Sequence, residues 1–396
     1  MRFDPFDSAV IDHFHAPRRA SGAAQRVLSP EAFAAAQAEI ASWAGYAVTP
    51  LHPLPALAES LRLGAVLYKD EGPRFGLGSF KALGAAYAAL RVLQAALGKR
   101  LGRSVTLAEI RSGALRAEAA QVTLCSATDG NHGRSLAWGC QRFGAGCRIY
   151  IHAEVSEARA QVMRDFGADV CRIAGNYDAS VAAARDDAQR HGWFMVADTS
   201  WPGYTEPPRD VMAGYGTMVS EACAAMDRAP THVFVQGGVG GLAASVAACL
   251  RQNWGDAAPR VIVVEPALAP CLRASAQAGR ATAVDITAET IMAGLSCGEP
   301  SPLAWEVLVE EASDYLAIPD ALIGPTMRLL ARPLGADPQI EGGESGVAGL
   351  AALIAAARQP GLRERLGLTG ESRVLLFGSE GITDPEIYAA MMAEAD

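Results

Sequence analysis

Thr231–Leu250 reads THVFVQGGVGGLAASVAACL, a β-branched apolar run that breaks at four glycines and resumes as an alanine-rich stretch. The first part, His232–Gln236, predicts a strand, and Leu242–Gln252 predicts a helix. Glycines at a strand-to-helix junction let backbone N–H groups approach an anion closely, and the helix N-terminus behind them adds a favourable field. The stretch therefore predicts a phosphate site at the C-terminal edge of a sheet. A dinucleotide or a monophosphate would suit it. A dinucleotide fingerprint belongs in the first βαβ unit, with an acidic residue after the next strand. These glycines lie beyond residue 230, yet Glu265 does close the next strand, so spacing alone leaves both occupants open.

The same alternation extends in both directions. Strands are predicted at Ala65–Lys69, Val122–Ser126, Arg148–His152, Val170–Ile173, Trp193–Ala197, Val261–Glu265 and Val374–Phe377. Helices are predicted at Phe80–Ala96, His132–Phe143, Glu157–Phe166, Ala179–Arg190, Val211–Met226, Ile323–Arg332 and Val347–Ala357, after an irregular N-terminal segment. Strands separated by helices imply parallel sheets covered by helices, an α/β protein.

With 396 residues, half of them hydrophobic, the chain is long enough for two or three domain-sized units. Its formal charge of −9, with scattered arginines, argues against nucleic acid or an anionic membrane as partner. The start has no apolar core flanked by basic residues, and the longest nearly apolar run, Gly237–Leu250, is shorter than the ~20 residues a spanning helix needs. A soluble, cytoplasmic protein is expected. None of the eight cysteines forms a CxxC pair, no metal is expected, and most thiols sit in apolar runs as buried groups would. Cys271 and Cys297 lie in loop-like sequence, so a regulatory disulfide is considered for that pair alone.

Three further sites carry chemistry. Lys69-Asp70-Glu71 leads through Arg74-Phe75-Gly76 to Ser79-Phe80-Lys81, where Ser79 is the expected N-cap and Lys81 falls in the first helical turn. A cation there opposes the helix dipole, and such local conflicts tend to mark function. A lysine with a lowered pKa is a better Schiff-base amine. Ser126–Gly133, SATDGNHG, joins a strand to a helix at the edge where α/β sheets bind ligands. Within it Asp129 calls for a cationic partner, and His132 is read as a capping or packing residue. Finally, Gly378-Ser379-Glu380-Gly381 closes the last strand with a serine able to face a heterocyclic nitrogen.

Taken together, these motifs resemble the fold-type II pyridoxal 5′-phosphate (PLP) enzymes, the family of threonine dehydratase, serine racemase and the tryptophan synthase β subunit. The resemblance implies two open parallel-sheet domains: a large PLP-binding domain from residues 1–125 and 215–396, and a small one from 126–214. It assigns Lys81 to the Schiff base, Asn131 to the cofactor's phenolic oxygen, Gly237, Gly238, Val239, Gly240 and Gly241 to the phosphate, and Ser379 to the pyridine nitrogen. A serine there cannot protonate the ring firmly, which favours direct elimination.

Within that family the chain is similar to the diaminopropionate ammonia-lyases over almost its whole length. The likeness runs through KDEGPRFGLGSFKALGAAYA from Lys69, ATDGNHGRSLAWGCQRFGA from Ala127, ADTSWPGYTEPPRDVMAGYGTM from Ala197, IMAGLSCGEPSPLAW from Ile291 and GGESGVAGL from Gly342. Asp129 and the Asp198-Thr199-Ser200-Trp201 segment separate these enzymes from ordinary dehydratases. The resemblance implies α,β-elimination of 2,3-diaminopropionate to pyruvate and ammonia, with Lys81 taking the Cα proton. Asp129 and Asp198 would recognise the β-ammonium, and Asp129 would also act as base on the D isomer. Tyr204, Glu344 and Ser345 are expected to line the site, in a homodimer acting on a small amino acid with simple, unregulated kinetics. A serine, threonine or hydroxyaspartate dehydratase and a PLP β-replacement synthase are the alternatives. The phosphate loop holds more glycine than these lyases usually show, and Pro202, Glu206, Pro208 and Val284–Thr290 are local departures.

Overall fold

In the computed structural model, which describes residues 3–128, 130–175 and 177–394, the chain forms two units. One comprises residues 1–30, 47–80 and 218–396; the other comprises 31–46 and 81–217.

The first unit is built on a seven-stranded sheet. Its strands are β1 (Asp12–His15), β2 (Leu51–Pro53), β3 (Ala65–Asp70), β8 (His232–Gln236), β9 (Arg260–Pro266), β10 (Asp314–Ile318) and β11 (Arg373–Gly378), in the order β1-β10-β9-β8-β11-β3-β2. The numbers between belong to the second unit: β4 (Thr123–Ala127), β5 (Gly146–Ile151), β6 (Asp169–Arg172) and β7 (Phe194–Met195), in the order β6-β5-β4-β7. All pairings in this smaller sheet are parallel, as are the five central strands of the larger one. The two edge strands depart from the expected pattern: β1 and β2 run antiparallel to β10 and β3. Every residue of β8 and β10 is buried, which explains why these strands read as continuous apolar runs rather than alternating ones.

The predicted domain boundaries need correcting. Residues 31–46 and 81–125 belong with the smaller sheet, and the second boundary falls at 217 rather than 214. The cause is close helix packing around the helix Lys81–Leu101. A Cβ on its Gly84 would lie 2.4 Å from Tyr215 and 2.7 Å from the Val211 carbonyl oxygen, both on the helix Glu206–Ala224. A Cβ on Gly139, in the helix Asn131–Phe143, would lie 2.9 Å from Ala86. Glycine at these positions lets helices approach to backbone contact. The predicted helix Val211–Met226 in fact begins at Glu206, because Pro207 and Pro208 occupy its first turn, where a missing N–H costs nothing.

Behind the loop that leads to Lys81, the first unit buries four charged side chains. Arg74 donates to Glu71 through Nε at 2.8 Å and to Glu221 through Nη2 at 2.7 Å, while Lys69 Nζ reaches Glu221 at 2.5 Å and the Thr49 carbonyl at 2.7 Å. All four are almost inaccessible. Two cations and two carboxylates with this many hydrogen bonds satisfy one another, whereas any one of them alone would be costly. Burial pushes the Lys69 amine down, and Glu71 and Glu221 recover only part of that shift. Glu71 N–H also donates to the Gly378 carbonyl at 2.9 Å, tying the start of the loop to the end of β11.

Candidate active site

The glycine turn follows β8 directly. Gly238 and Gly240 adopt positive φ of 57° and 99°, in the left-handed region open to glycine. Gly240 N–H donates to the Gly237 carbonyl and Gly237 N–H to the Val264 carbonyl, closing the turn. The Val239 carbonyl is taken by Ser301 N–H at 2.8 Å. Among the described residues, nothing accepts the N–H groups of Gly238, Val239 or Gly241, which opens the helix Gly241–Trp254. These unfilled donors, with a helix N-terminus behind them, make an anion cradle. Glu265 does not serve a ribose. It is fully buried, and its two oxygens accept Leu272 and Arg273 N–H at 2.8 and 2.7 Å. That occupancy removes the dinucleotide alternative and leaves the monophosphate.

At the neighbouring strand end, Ser379 is buried and its carbonyl accepts Phe80 N–H at 3.0 Å, while Ser79 forms a bridge with Glu380. Ser79 is not the N-cap expected of it. Its Oγ is fully buried and has no hydrogen-bond partner among the described residues, and the helix begins at Lys81, which leaves Phe80 at the cap position. Ser345 N–H donates to Glu380 Oε1 at 2.8 Å, and Ser345 Oγ accepts Gly294 N–H at 3.0 Å. Ser345 thus ties the Ala293–Leu295 turn to this strand end, and Glu344 beside it is buried. No disulfide joins Cys271 and Cys297, though each lies near Gly238: Cys271 Sγ is 3.6 Å from the Gly238 carbonyl.

In the second unit Lys81 opens its helix and pairs through Nζ with Asp198 Oδ2. His132 Nδ1 lies 3.8 Å from the same carboxylate oxygen, and its Nε2 is 2.8 Å from the Val196 carbonyl. Burial alone would push Asp198 up, but Lys81 and His132 hold its carboxyl well below the usual range. Tyr215, buried, faces Lys81 with Nζ 5.9 Å from its ring centroid, and burial pushes its phenol up. Asn131 begins the helix Asn131–Phe143, and its Oδ1 accepts Arg134 Nη2 at 2.6 Å. Thr128 Oγ1 accepts Gly130 and Gly133 N–H at 3.1 and 3.3 Å, fixing the loop before that helix. Asp129 lies outside the described residues.

Tyr204 is tied to the segment before Asp198. Its hydroxyl donates to the Met195 carbonyl at 3.0 Å and accepts Ala197 N–H at 2.9 Å, bracing the segment that carries Asp198. Its ring stacks on Trp201 at 3.9 Å, and the Arg185 guanidinium lies 3.8 Å from the Trp201 centroid.

Of the residues singled out in the sequence, Lys81 and Asn131 open helices, the glycines and Ser379 follow strand ends, and Asp198 lies in the segment after β7. The sequence reading missed Tyr215, the His132–Asp198 approach and the orphaned Ser79 hydroxyl. No local pattern marks these, since each depends on segments far apart in sequence. Within the first unit the unfilled N–H groups of the glycine turn fit the phosphate of a phosphorylated aldehyde such as PLP, and within the second the part-buried Lys81 amine fits an aldehyde.

The model of the family described as "Pyridoxal-phosphate dependent enzyme" matches residues 43–377. Diaminopropionate ammonia-lyase of Escherichia coli K12 is 37% identical over 357 residues, which cover 89% of this chain and 88% of that protein. The crystal structure of the E. coli enzyme in complex with D-serine superposes with a TM-score of 0.88 at 34% identity, covering 98% of this chain and 97% of that one. The same enzyme in complex with an aminoacrylate-PLP azomethine reaction intermediate gives a TM-score of 0.84 at 35% identity, covering 98% and 97%.

Proposed function

The chain belongs to the diaminopropionate ammonia-lyases, within the pyridoxal-phosphate-dependent enzymes, and from that premise we propose that it eliminates the β-amino group of 2,3-diaminopropionate to give pyruvate and ammonia. It is a PLP-dependent lyase of fold-type II. The observation that carries the substrate reading is the Asp198 carboxylate held beside the Lys81 amine.

When bound, PLP supplies an electron sink for a substrate amine joined to it as a Schiff base. Lys81 would hold the aldehyde and, once displaced, accept the Cα proton of the L isomer. Its place at a helix start disfavours a fixed charge there, and Asp198 holds the amine in position. The Gly237–Gly241 turn would take the phosphate on its unfilled N–H groups. Ser379 would face the pyridine nitrogen with a neutral hydroxyl, and Asn131 the phenolic oxygen.

Asp198 and Asp129 would receive the β-ammonium, the feature that separates this substrate from serine or threonine. Asp129 would serve as the base for the D isomer from the opposite face. The substrate contacts of Glu344 and Ser345, the homodimer and the cytoplasmic location belong to the same proposal. Among the described residues no helix is long and apolar enough to cross a membrane.

The test is a pyruvate and ammonia assay of wild type and Lys81→Ala against L- and D-2,3-diaminopropionate, serine and threonine. Wild type should prefer diaminopropionate, and Lys81→Ala should lose both activity and the visible cofactor band. A variant that kept both, or a wild type that preferred serine or threonine, would overturn the reading.

A further inference from the structure

Glu265 is a buried acid with no role in this chemistry. Glu265, the penultimate residue of β9, is wholly inaccessible, and an ideal Cβ on Gly237 would lie 2.7 Å from its Cγ. The carboxyl therefore sits immediately behind the first glycine of the phosphate turn. Each of its oxygens takes one N–H from the start of the helix Cys271–Ala278: Leu272 at 2.8 Å and Arg273 at 2.7 Å. Leu272 in turn packs against the turn from below, within 3.2 Å of a Cβ built on Gly237 and 3.3 Å of one built on Gly240. One side chain thus fastens a helix end beneath the only stretch of backbone that reading assigns to the phosphate.

We propose that Glu265 is a positioning residue for the cofactor phosphate, clamping the glycine turn through Leu272 and taking up a proton when an anion fills the turn. The inference rests on the placement of the phosphate at Gly237–Gly241. Its physical basis is that an anion on those N–H groups adds negative charge beside a carboxyl that no water reaches. The favourable response is to neutralise the carboxyl rather than keep two like charges together.

The surroundings permit this. Burial already pushes Glu265 up to about 8, against the opposing effect of its two backbone N–H groups, Cys271 and the Arg273 charge. The remaining titratable or charged neighbours are Arg273, whose guanidinium is engaged by Asp12, Tyr315 on β10, and Cys297 beside Cys271. Arg273, the cation among them, lowers the carboxyl less than burial raises it. By linkage, a proton taken up on binding makes affinity depend on pH in the range where the empty protein has released it.

Pyridoxine 5′-phosphate, which has the phosphate but no aldehyde, tests this without involving Lys81 chemistry or turnover. Titration calorimetry of the full chain in two buffers of different ionisation enthalpy gives both affinity and protons exchanged, between pH 7 and 10. Wild type should bind with proton uptake above about pH 8, its affinity falling by up to tenfold per pH unit there. Glu265→Gln should lose that uptake and its added slope, leaving only the ligand's own titration, common to both. Equal proton numbers in wild type and Glu265→Gln would overturn the inference. So would wild type showing no uptake beyond the ligand's own, a result that requires no variant to fold. Gly238→Ala, strained by its positive φ, separates the two levels of the argument. If it binds as wild type does, the phosphate lies elsewhere and the reading beneath the inference fails. If it loses binding while Glu265→Gln matches wild type at every pH, only the role of Glu265 fails.

Discussion

Tyr204→Phe removes one oxygen and keeps the ring. In the structure that oxygen donates to the Met195 carbonyl at 3.0 Å and accepts Ala197 N–H at 2.9 Å, on either side of buried Val196. Losing it leaves a backbone donor and acceptor without their partner, which costs about 1–3 kcal/mol where water cannot replace it. The stack on Trp201 should survive, because it depends on the ring alone. For a domain of ~150–250 residues the expected fall in Tm is roughly 2–4 °C per kcal/mol. The larger effect should be on turnover. Asp198 follows Ala197 directly and pairs with Lys81, and a misplacement of about 1 Å in a reacting group can cost roughly a hundredfold. Pyruvate release, coupled to NADH oxidation, should show kcat/KM for L-2,3-diaminopropionate reduced about tenfold to a hundredfold. The visible cofactor band should remain, since Lys81 itself is untouched. If Tm fell and kcat/KM did not, the hydroxyl would be bracing the fold without placing Asp198, and the argument from Tyr204 to the site would be refuted.

Gly84→Ala should destabilise the second unit by about 1–3 kcal/mol or more, because the new methyl meets the Val211 carbonyl oxygen, part of a helix backbone that cannot swing aside; thermal unfolding would show it, and an unchanged Tm would mean the helices have room to part. Asp314 accepts from His13, Arg260 and Ser313, which outweigh burial and hold its carboxyl below the usual range. A depressed folded pKa contributes stability that is present above the unfolded value of ~4 and lost as pH falls through the folded one. Denaturant midpoints of wild type should therefore fall below about pH 4 more steeply than those of Asp314→Asn, and parallel curves would remove Asp314 from the account. Asp129→Asn should impair turnover of the D isomer more than the L isomer in the pyruvate assay, whereas equal losses would count against a second base.

The interior of both sheets was legible in the sequence because parallel strands covered on both faces must be apolar throughout. Val261–Glu265 and Val374–Phe377 each fall within one or two residues of the observed ends. The edges were not. β1 reads DHFH and β2 reads LHP, with no periodicity to separate them from loop, and each becomes a strand only because a buried neighbour offers it unpaired backbone groups. β10, DYLAI, was missed for another reason: its short apolar run directly follows a helix, and length alone could not divide them. The domain boundary failed similarly, since contact between Gly84 and Val211 depends on residues far apart in the chain.

The site divides along the same line. Motifs whose chemistry is local, such as glycines at a strand end or a lysine in a first helical turn, could be located from their neighbours. Groups that act by tertiary approach could not, and Lys81 shows how the two kinds depend on each other. Read locally, its position is unfavourable, because the dipole of a 21-residue helix disfavours a cation at its start. Asp198, 117 residues later, offsets that cost as a direct partner, and His132 keeps the same carboxylate ionised. A lysine that required only solubility would need neither, since it could extend into water. Held part-buried at the head of its helix and paired with a carboxylate, the amine is fixed at one place. The unfavourable local position and the distant carboxylate are therefore one device, and the sequence displays only its first half.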